Sequence, residues 1–324
     1  MLKLLKIVIL FLFLWMVFTS NAKADNSSWM AGLDQDALIT QISIPGTHDS
    51  AATAGRCGGH DSCHTQTYGF TDQLEKGIRF FDIRLVYEDG DLTFHHSCFY
   101  LNLNFKAAIN AVKAHLLAHS SEFVIFLIKQ ETWQYIPTVC PEDNLVVPAD
   151  TFWARVSEQI DDYPDELFYL DKSVPTVAEA AGKIIIMARD RSSYPQGYHV
   201  NWTDNTVHEE RNDSDLNYVV EDHYSLATVE TDTKFAEIAQ NLYLAGICVT
   251  CGNPKTLFIT FLSGEGDLVR KFPNHYAEYE NPHTVGWLND RPGPRPGIVL
   301  MDFAGDSTYQ GDTLIEAVIN QNSP

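Results

Sequence analysis

Apolar positions along the chain change period repeatedly, and those changes mark out the elements. Short β-branched runs predict strands at Gln41–Ile44, Phe80–Val86, Leu92–His95, Phe123–Ile128, Lys183–Met187, Tyr218–Val220, Leu257–Phe261 and Ile298–Phe303. Longer amphipathic stretches predict helices over Asn104–Ala118, Thr151–Ile160, Val177–Ala181, Thr233–Leu244 and Asp312–Asn320. In the first helix, Phe105, Ala108, Ile109, Val112, Leu116 and Leu117 form one apolar stripe at helical spacing, as a face packed on a core does. Strands and helices alternate with no repeat and no compositional break, which predicts one α/β domain. About eight strands make a single distorted, TIM-barrel-like parallel (β/α) barrel the expected architecture. Irregularity is expected between Ser43 and Phe80 and between Val220 and Leu257, where helical signals are weak. Trp133–Pro148, Asp190–Asp215 and Arg291–Gly297 read as insertions or turns.

The N-terminus follows a different pattern. Lys3 and Lys6 precede the unbroken apolar run Ile7–Phe18, and Ala22-Lys23-Ala24 follows. This is the charged, apolar and small-residue order of a secretory signal peptide. Its 12 apolar residues fall short of the about 20 that a membrane span needs. Residues 1–24 are therefore expected to be cleaved, leaving 25–324 as one exported domain, secreted or periplasmic. Asp25 rather than Cys follows the cut, so no lipoprotein anchor is indicated. Six Cys, at 57, 63, 98, 140, 248 and 251, suit an oxidising compartment and are read as structural. Cys57 and Cys63 enclose a short Gly-rich loop that a bridge could staple. Cys248-Val-Thr-Cys251 lacks the βαβ context of a redox pair, and neither pair has a second zinc-ligand pair nearby in sequence.

Charge narrows the partners. Acidic residues number 43 against 22 basic, a formal charge of −21 that becomes −24 once the leader's three lysines are removed. Nucleic-acid binding needs clustered Lys and Arg and is excluded on this ground. Broad adhesion to anionic lipid is disfavoured too, so membrane contact would be local. The aromatic candidates for it are Trp133 and Tyr135, and the Tyr194–Trp202 loop with Tyr194, Tyr198 and Trp202. The competing reading packs these rings under their own loops.

Polar residues gather at the C-terminal ends of the strands. His48 and Asp49 follow the first strand on a Pro-Gly turn, and Asp82 and Arg84 share one face of the second. His95-His96, Lys129, Arg189, Asp222 and Asp302 end or follow later strands. In a parallel barrel these ends converge on one mouth. Two histidines with carboxylates to orient them and an Arg suit phosphoryl transfer. One imidazole takes a proton from an attacking hydroxyl, the other protonates the leaving oxygen, and the Arg clamps the phosphate. A metal site is the rival reading, but the chain shows no His-x-Asp, no HExxH and, on this reading, no close histidine pair on a helix. Arg84 within the cluster would also repel a cation.

At these residues the sequence resembles the phosphatidylinositol-specific phospholipase C family, the X-domain superfamily. The resemblance rests on Ser43-Ile-Pro-Gly-Thr-His-Asp-Ser50, Gly77-Ile-Arg-Phe-Phe-Asp-Ile-Arg84, Phe94-His-His96 and Ile128-Lys129, in that order, within about residues 38–131. Segments ending in Arg189, Tyr224 and Asp302 look like later parts of the family. The resemblance implies a distorted TIM barrel and release of diacylglycerol and inositol 1,2-cyclic phosphate from phosphatidylinositol or a glycosylated form of it. By the same resemblance His48 is the general base, His96 the general acid and Arg84 the phosphate clamp. Asp49 acts beside the phosphate, Asp82 supports His96 and Asp302 orients His48. Lys129, Arg189 and Asp222 contact inositol hydroxyls, and Tyr224 stacks on the ring. Asp49 with Arg84 is the pattern of the secreted bacterial metal-independent members, so no metal and no cofactor is expected. The partner would be a phosphoinositide lipid met transiently at a membrane surface by a monomer. Ser97, where Gly is usual, and His223 depart from the family and bear on head-group preference. Two alternatives stand beside this reading: a catalytically silent inositol or carbohydrate binder on the same barrel, and a metal-dependent phosphodiesterase with another substrate.

Overall fold

In the computed structural model, which describes residues 25–133, 140, 146–189, 197–213, 216–225, 231–248, 254–266, 272–293 and 295–323, one curled sheet of twelve strands organises the chain. The strands are β1 Ile44–Thr47, β2 Phe80–Glu88, β3 Asp91–His96, β4 Phe99–Asn104, β5 Val124–Gln130, β6 Phe168–Tyr169, β7 Ile184–Arg189, β8 Tyr198–Val200, β9 Glu209–Asp213, β10 Leu216–Glu221, β11 Thr256–Phe261 and β12 Ile298–Met301. The helices are α1 Phe70–Glu75, α2 Phe105–Ala118, α3 Ala149–Ile160, α4 Val177–Ala180, α5 Thr231–Cys248, α6 Pro273–Asn289 and α7 Gly311–Asn320. Parallel ladders run through β7-β5-β2-β1-β12-β11-β10, and β6 and β8 share the outer edge of β7. β3 and β4 form an antiparallel extension of β2, and β9 pairs antiparallel with β10.

The expected barrel-like α/β architecture is present as a curled, mostly parallel sheet, open at a seam that lies outside the two stretches where irregularity was expected. Among the described residues no backbone ladder joins the β8 side to the β9–β10 side. Tyr218 on β10 closes part of that gap: its hydroxyl accepts from the Asn201 amide at 2.7 Å and donates to the Asn201 carbonyl at 2.8 Å.

Period-two alternation divides the core into two layers. Phe80, Leu127, Met187, Val220, Ile259 and Leu300 point into the lumen, while Phe81, Phe126, Ile186, Val299 and Met301 pack under the surrounding helices. Gly46 is the lumen-side residue of β1 beside Phe80, and a Cβ there would lie 2.9 Å from the Phe80 Cβ. Met30, Ile39 and Ile42, from the short turns before β1, join the lumen cluster at the end opposite the strands' C-termini. Beneath them Arg79, fully buried, donates to Glu122 at 2.9 Å and to backbone carbonyls of Leu74, Ile78 and Ser27.

Several elements differ from the sequence expectation. The first strand starts at Ile44, because Ile39–Gln41 is a 3₁₀ turn. α1, β4 and β6 were not predicted, and β8 and β9 lie inside the stretch read as an insertion. α6 was missed because its buried stripe carries polar residues: Tyr276, Ala277, Glu280, Asn281, Thr284, Val285 and Leu288 keep helical spacing but low hydropathy. Pro282 inside it masked the signal further. Disulfides join Cys57 to Cys63 and Cys98 to Cys140. Cys251, Tyr135 and Tyr194 lie outside the described residues, as do residues 1–24.

Candidate active site

The lumen-facing alternation that buries Phe80 on β2 continues to Asp82 and Arg84, and on β5 it carries Leu127 to Lys129. The same rule takes Met187 on β7 to Arg189, Val220 on β10 to Asp222, and Leu300 on β12 to Asp302. Each strand therefore ends its apolar lumen row in a charged residue at one mouth. β1 contributes His48 and Asp49 just past its last residue. His96 arrives from the β3–β4 hairpin rather than from a parallel strand.

Arg84 sits among these groups. Its Nε donates to Asp82 Oδ2 at 2.9 Å, its Nη1 lies 3.4 Å from Asp49 Oδ2, and its Nη2 is 2.9 Å from His48 Nε2. A guanidinium has only donors, so His48 Nε2 is the acceptor and the ring proton is on Nδ1. Nδ1 then donates to Asp302 Oδ1 at 2.9 Å. Burial, joined by the Arg84 charge, pulls the His48 pKa well below its ordinary value. Burial and the carboxylates of Asp49 and Asp82 push Asp302 well up. Burial and Arg84 thus favour the neutral form of His48, with its Nε2 lone pair toward Arg84 at the mouth.

His96 is held the opposite way. Its Nδ1 lies 2.8 Å from Asp49 Oδ2. Burial alone would lower its pKa, but the charge and hydrogen bond of Asp49 more than offset this and raise it. For Asp82, burial is likewise outweighed, by Arg84 and then His48, and its carboxyl is held far below the usual range. The supporting roles of the two aspartates are therefore exchanged relative to expectation. Asp49 partners His96, whereas Asp82 anchors Arg84 and accepts the Asp49 amide at 3.1 Å. Asp49 lies on the turn just past β1, at a positive φ of 40°.

A second group lines the far side. Arg189 Nη2 is 3.2 Å from Asp222 Oδ2, and its guanidinium stacks 4.0 Å above the Trp202 ring. Trp202 Nε1 donates to Asp222 at 2.9 Å, and only 4% of the residue is exposed. This corrects the reading of Trp202 as a lipid contact: it braces the Arg189–Asp222 pair. Tyr198 is buried as well and donates to the Ser173 carbonyl. Trp133 lies parallel to His95 at 5.8 Å, and His95 turns away from the mouth to Glu88 at 2.9 Å. Tyr224 is partly buried just beyond Asp222. His223 also points away, to Glu237 of α5 at 2.7 Å.

Sequence reasoning missed Glu131. It lies 3.3 Å from Lys129 and accepts the Ser97 amide at 3.0 Å, tying the His96 turn to β5. The Lys129-x-Glu131 alternation was the available signal. Ser97 has φ 52°, which explains a preference for Gly at this turn. Asp49 and Asp82, the oxygens a cation at the mouth would use, are both turned to Arg84. The expectation of no close histidine pair on a helix is also overturned. His115 in the last turn of α2 and His119 at its C-cap are four residues apart, with ring centroids 4.6 Å apart. They lie away from the mouth.

Residues 40–190 match the model of the family described as phosphatidylinositol-specific phospholipase C, X domain. The 1-phosphatidylinositol phosphodiesterase of Staphylococcus aureus strain Newman is 27% identical over 308 residues, covering 91% of this chain and 94% of that protein. The protein of the same name from Listeria monocytogenes is 24% identical over 87% of this chain and 82% of its own. A solved structure of the S. aureus phosphatidylinositol-specific phospholipase C superposes with a TM-score of 0.80 at 26% identity, covering 93% of this chain and 98% of that one.

Proposed function

From the match of residues 40–190 to the phosphatidylinositol-specific phospholipase C X domain and the likeness to the S. aureus phosphodiesterase, we propose that the chain is a member of that family and cleaves phosphatidylinositol, or a glycosylated form of it, by intramolecular phosphoryl transfer. The observation that carries the reading is the pair of imidazoles with opposite protonation tendencies on either side of one guanidinium. Environments that drive two titratable groups apart are what acid–base catalysis requires.

The inositol 2-hydroxyl gives its proton to His48 Nε2 as its oxygen attacks phosphorus. His48 becomes an imidazolium stabilised through Nδ1 by Asp302. Arg84 turns its N–H groups from His48 to the phosphate oxygens and meets the charge that builds there, while Asp82 keeps its Nε in place. The bond from phosphorus to the glycerol oxygen breaks, and that oxygen takes a proton from His96. The products are inositol 1,2-cyclic phosphate and diacylglycerol. Lys129, Arg189 and Asp222 hold inositol hydroxyls, Trp202 fixes the last two, and Tyr224 covers the ring. The guanidinium supplies positive charge between the two carboxylates a metal ion would need, so the reaction runs without one. The leader pattern at residues 1–24 and the two disulfides support action outside the cytoplasm.

Phosphorus NMR of phosphatidylinositol vesicles treated with the enzyme tests this directly. A cyclic phosphate signal of equal size with and without EDTA is the expected result. Absence of product, or its loss in chelator, refutes the proposal.

A further inference from the structure

On the outer wall of the barrel, outside the cluster of side chains described above, α1 ends at Glu75 beside the C-terminal turn of α2. We infer that Glu75, His115 and His119 form a binding site for a divalent transition-metal ion of the zinc class. Among the described residues this is the one group of three His, Cys, Asp or Glu side chains that each offer a donor atom within 4.8 Å of the others.

Three observations support a metal over a plain ion pair. His115 Nδ1 and Glu75 Oε1 are 3.3 Å apart, at the long edge for a hydrogen bond. Two ligands about 2.0–2.1 Å from a tetrahedral ion stand about 3.4 Å apart, so this spacing is the edge of a zinc tetrahedron. Only 5% of His115 is exposed, so packing holds its ring in place with Nδ1 toward Glu75. The third ligand lies four residues on, at the C-cap of the helix, where His119 has left helical dihedrals while its N–H still bonds the His115 carbonyl. Two imidazoles with one carboxylate favour zinc-like ions over magnesium or calcium, which take oxygen ligands. Solvent would supply the fourth position.

The surroundings admit a cation. Glu75 also lines a surface cavity of about 210 Å³ in which the carboxylates of Asp25, Asp312 and Glu316 outnumber the one ammonium, Lys76. Asp25 is close enough to His119 to interact with it electrostatically. The buried Arg79 nearby is neutralised by Glu122 at 2.8 Å. Binding has a structural consequence, because α1 carries Gln73. That amide donates to the Ser50 carbonyl at 2.9 Å and accepts from Thr47 at 2.9 Å, bracing the turn that holds His48 and Asp49. An ion at Glu75 pins α1 to α2 and stiffens that brace.

Metal content by mass spectrometry after equilibration with Zn²⁺ and gel filtration tests the site, together with thermal melting. One zinc per chain is expected, with a melting temperature raised by roughly 5 °C at hundredfold excess over Kd, and no effect of Mg²⁺. Cobalt substitution is expected to give the intense visible bands of a tetrahedral site. His119→Ala and Glu75→Gln, both at solvent-accessible positions, should each lose the ion and the shift while folding normally. His96→Ala should keep both, which separates this site from the barrel mouth. Zinc binding absent from the wild type, or retained in the His119→Ala and Glu75→Gln variants, overturns the assignment. Neither result depends on whether the chain cleaves phosphatidylinositol.

Discussion

Replacing Asp49 with Asn tests the division of labour between the two histidines. Asp49 is 1% exposed, and its carboxylate is 2.8 Å from His96 Nδ1 and 3.4 Å from Arg84. Asn preserves the shape but removes the charge that keeps His96 protonated against its burial. A hydrogen bond to a charged group is worth about 1.5–3 kcal/mol, or about 1–2 pH units of titration. The alkaline limb of kcat/KM against pH, which reports loss of the acid, should therefore move down by about 1–2 units. Above that limb, activity falls by roughly 10–100-fold. The acid limb, set by His48, should move much less, because Arg84 keeps its 2.9 Å contact with Asp82. A soluble inositol phosphodiester is the substrate of choice, since it separates proton chemistry from vesicle binding. A uniform loss of rate with both limbs unmoved would show that Asp49 acts through Arg84, and the argument about His96 would fail. The same sign governs stability. A raised His96 pKa stabilises the fold below the unfolded value and that contribution is lost as pH rises through the folded value, so the variant should lose more stability near pH 5 than near pH 8.

Other outcomes follow from the same contacts. His96→Ala should cost about 10²–10⁴ in turnover, the scale of a positioned proton donor, while His95→Ala, facing Glu88 and Trp133, stays near wild type; equal losses in both would reverse the choice of acid. Arg84→Lys keeps charge but cannot span His48, Asp49 and Asp82 together, so binding should survive while kcat collapses; full kcat would remove the clamp. Trp202→Phe keeps a ring under Arg189 and deletes the donor to Asp222, so kcat/KM should drop roughly tenfold or more on soluble substrate and vesicles alike. A loss confined to vesicles would restore Trp202 as a lipid contact. Ser97→Gly relieves a left-handed residue and should raise stability by about 1 kcal/mol in urea melts; a destabilised variant would show that the Ser97 side chain contributes more than its backbone strain costs.

How much of this was legible in the sequence depends on which forces are local. Period-two runs placed Phe80, Asp82 and Arg84 on one face, and the same alternation carried Lys129, Arg189, Asp222 and Asp302 to one mouth. Side-chain direction in a strand is fixed by its pleat, so order along the chain was enough. The leader pattern, the apolar stripe of α2 and the short Cys57–Cys63 loop are local in the same sense. Partner choice is not. Asp49 and Asp82 both lie near Arg84, and only the folded hairpin of β3 and β4 shows which of them His96 meets. Trp202 looked like an exposed loop aromatic until the β7 and β10 ends brought Arg189 and Asp222 to its ring. α6 stayed hidden because Glu280, Asn281 and Thr284 lie in its buried stripe, and their burial is decided by the packing of other elements over them. Glu75 is 40 residues from His115, and only the packing of α1 on α2 makes them neighbours. Hydropathy records what a residue does to water, which the chain carries with it. Hydrogen-bond and ion-pair partners depend on distances set when the sheet curls and its helices close over it.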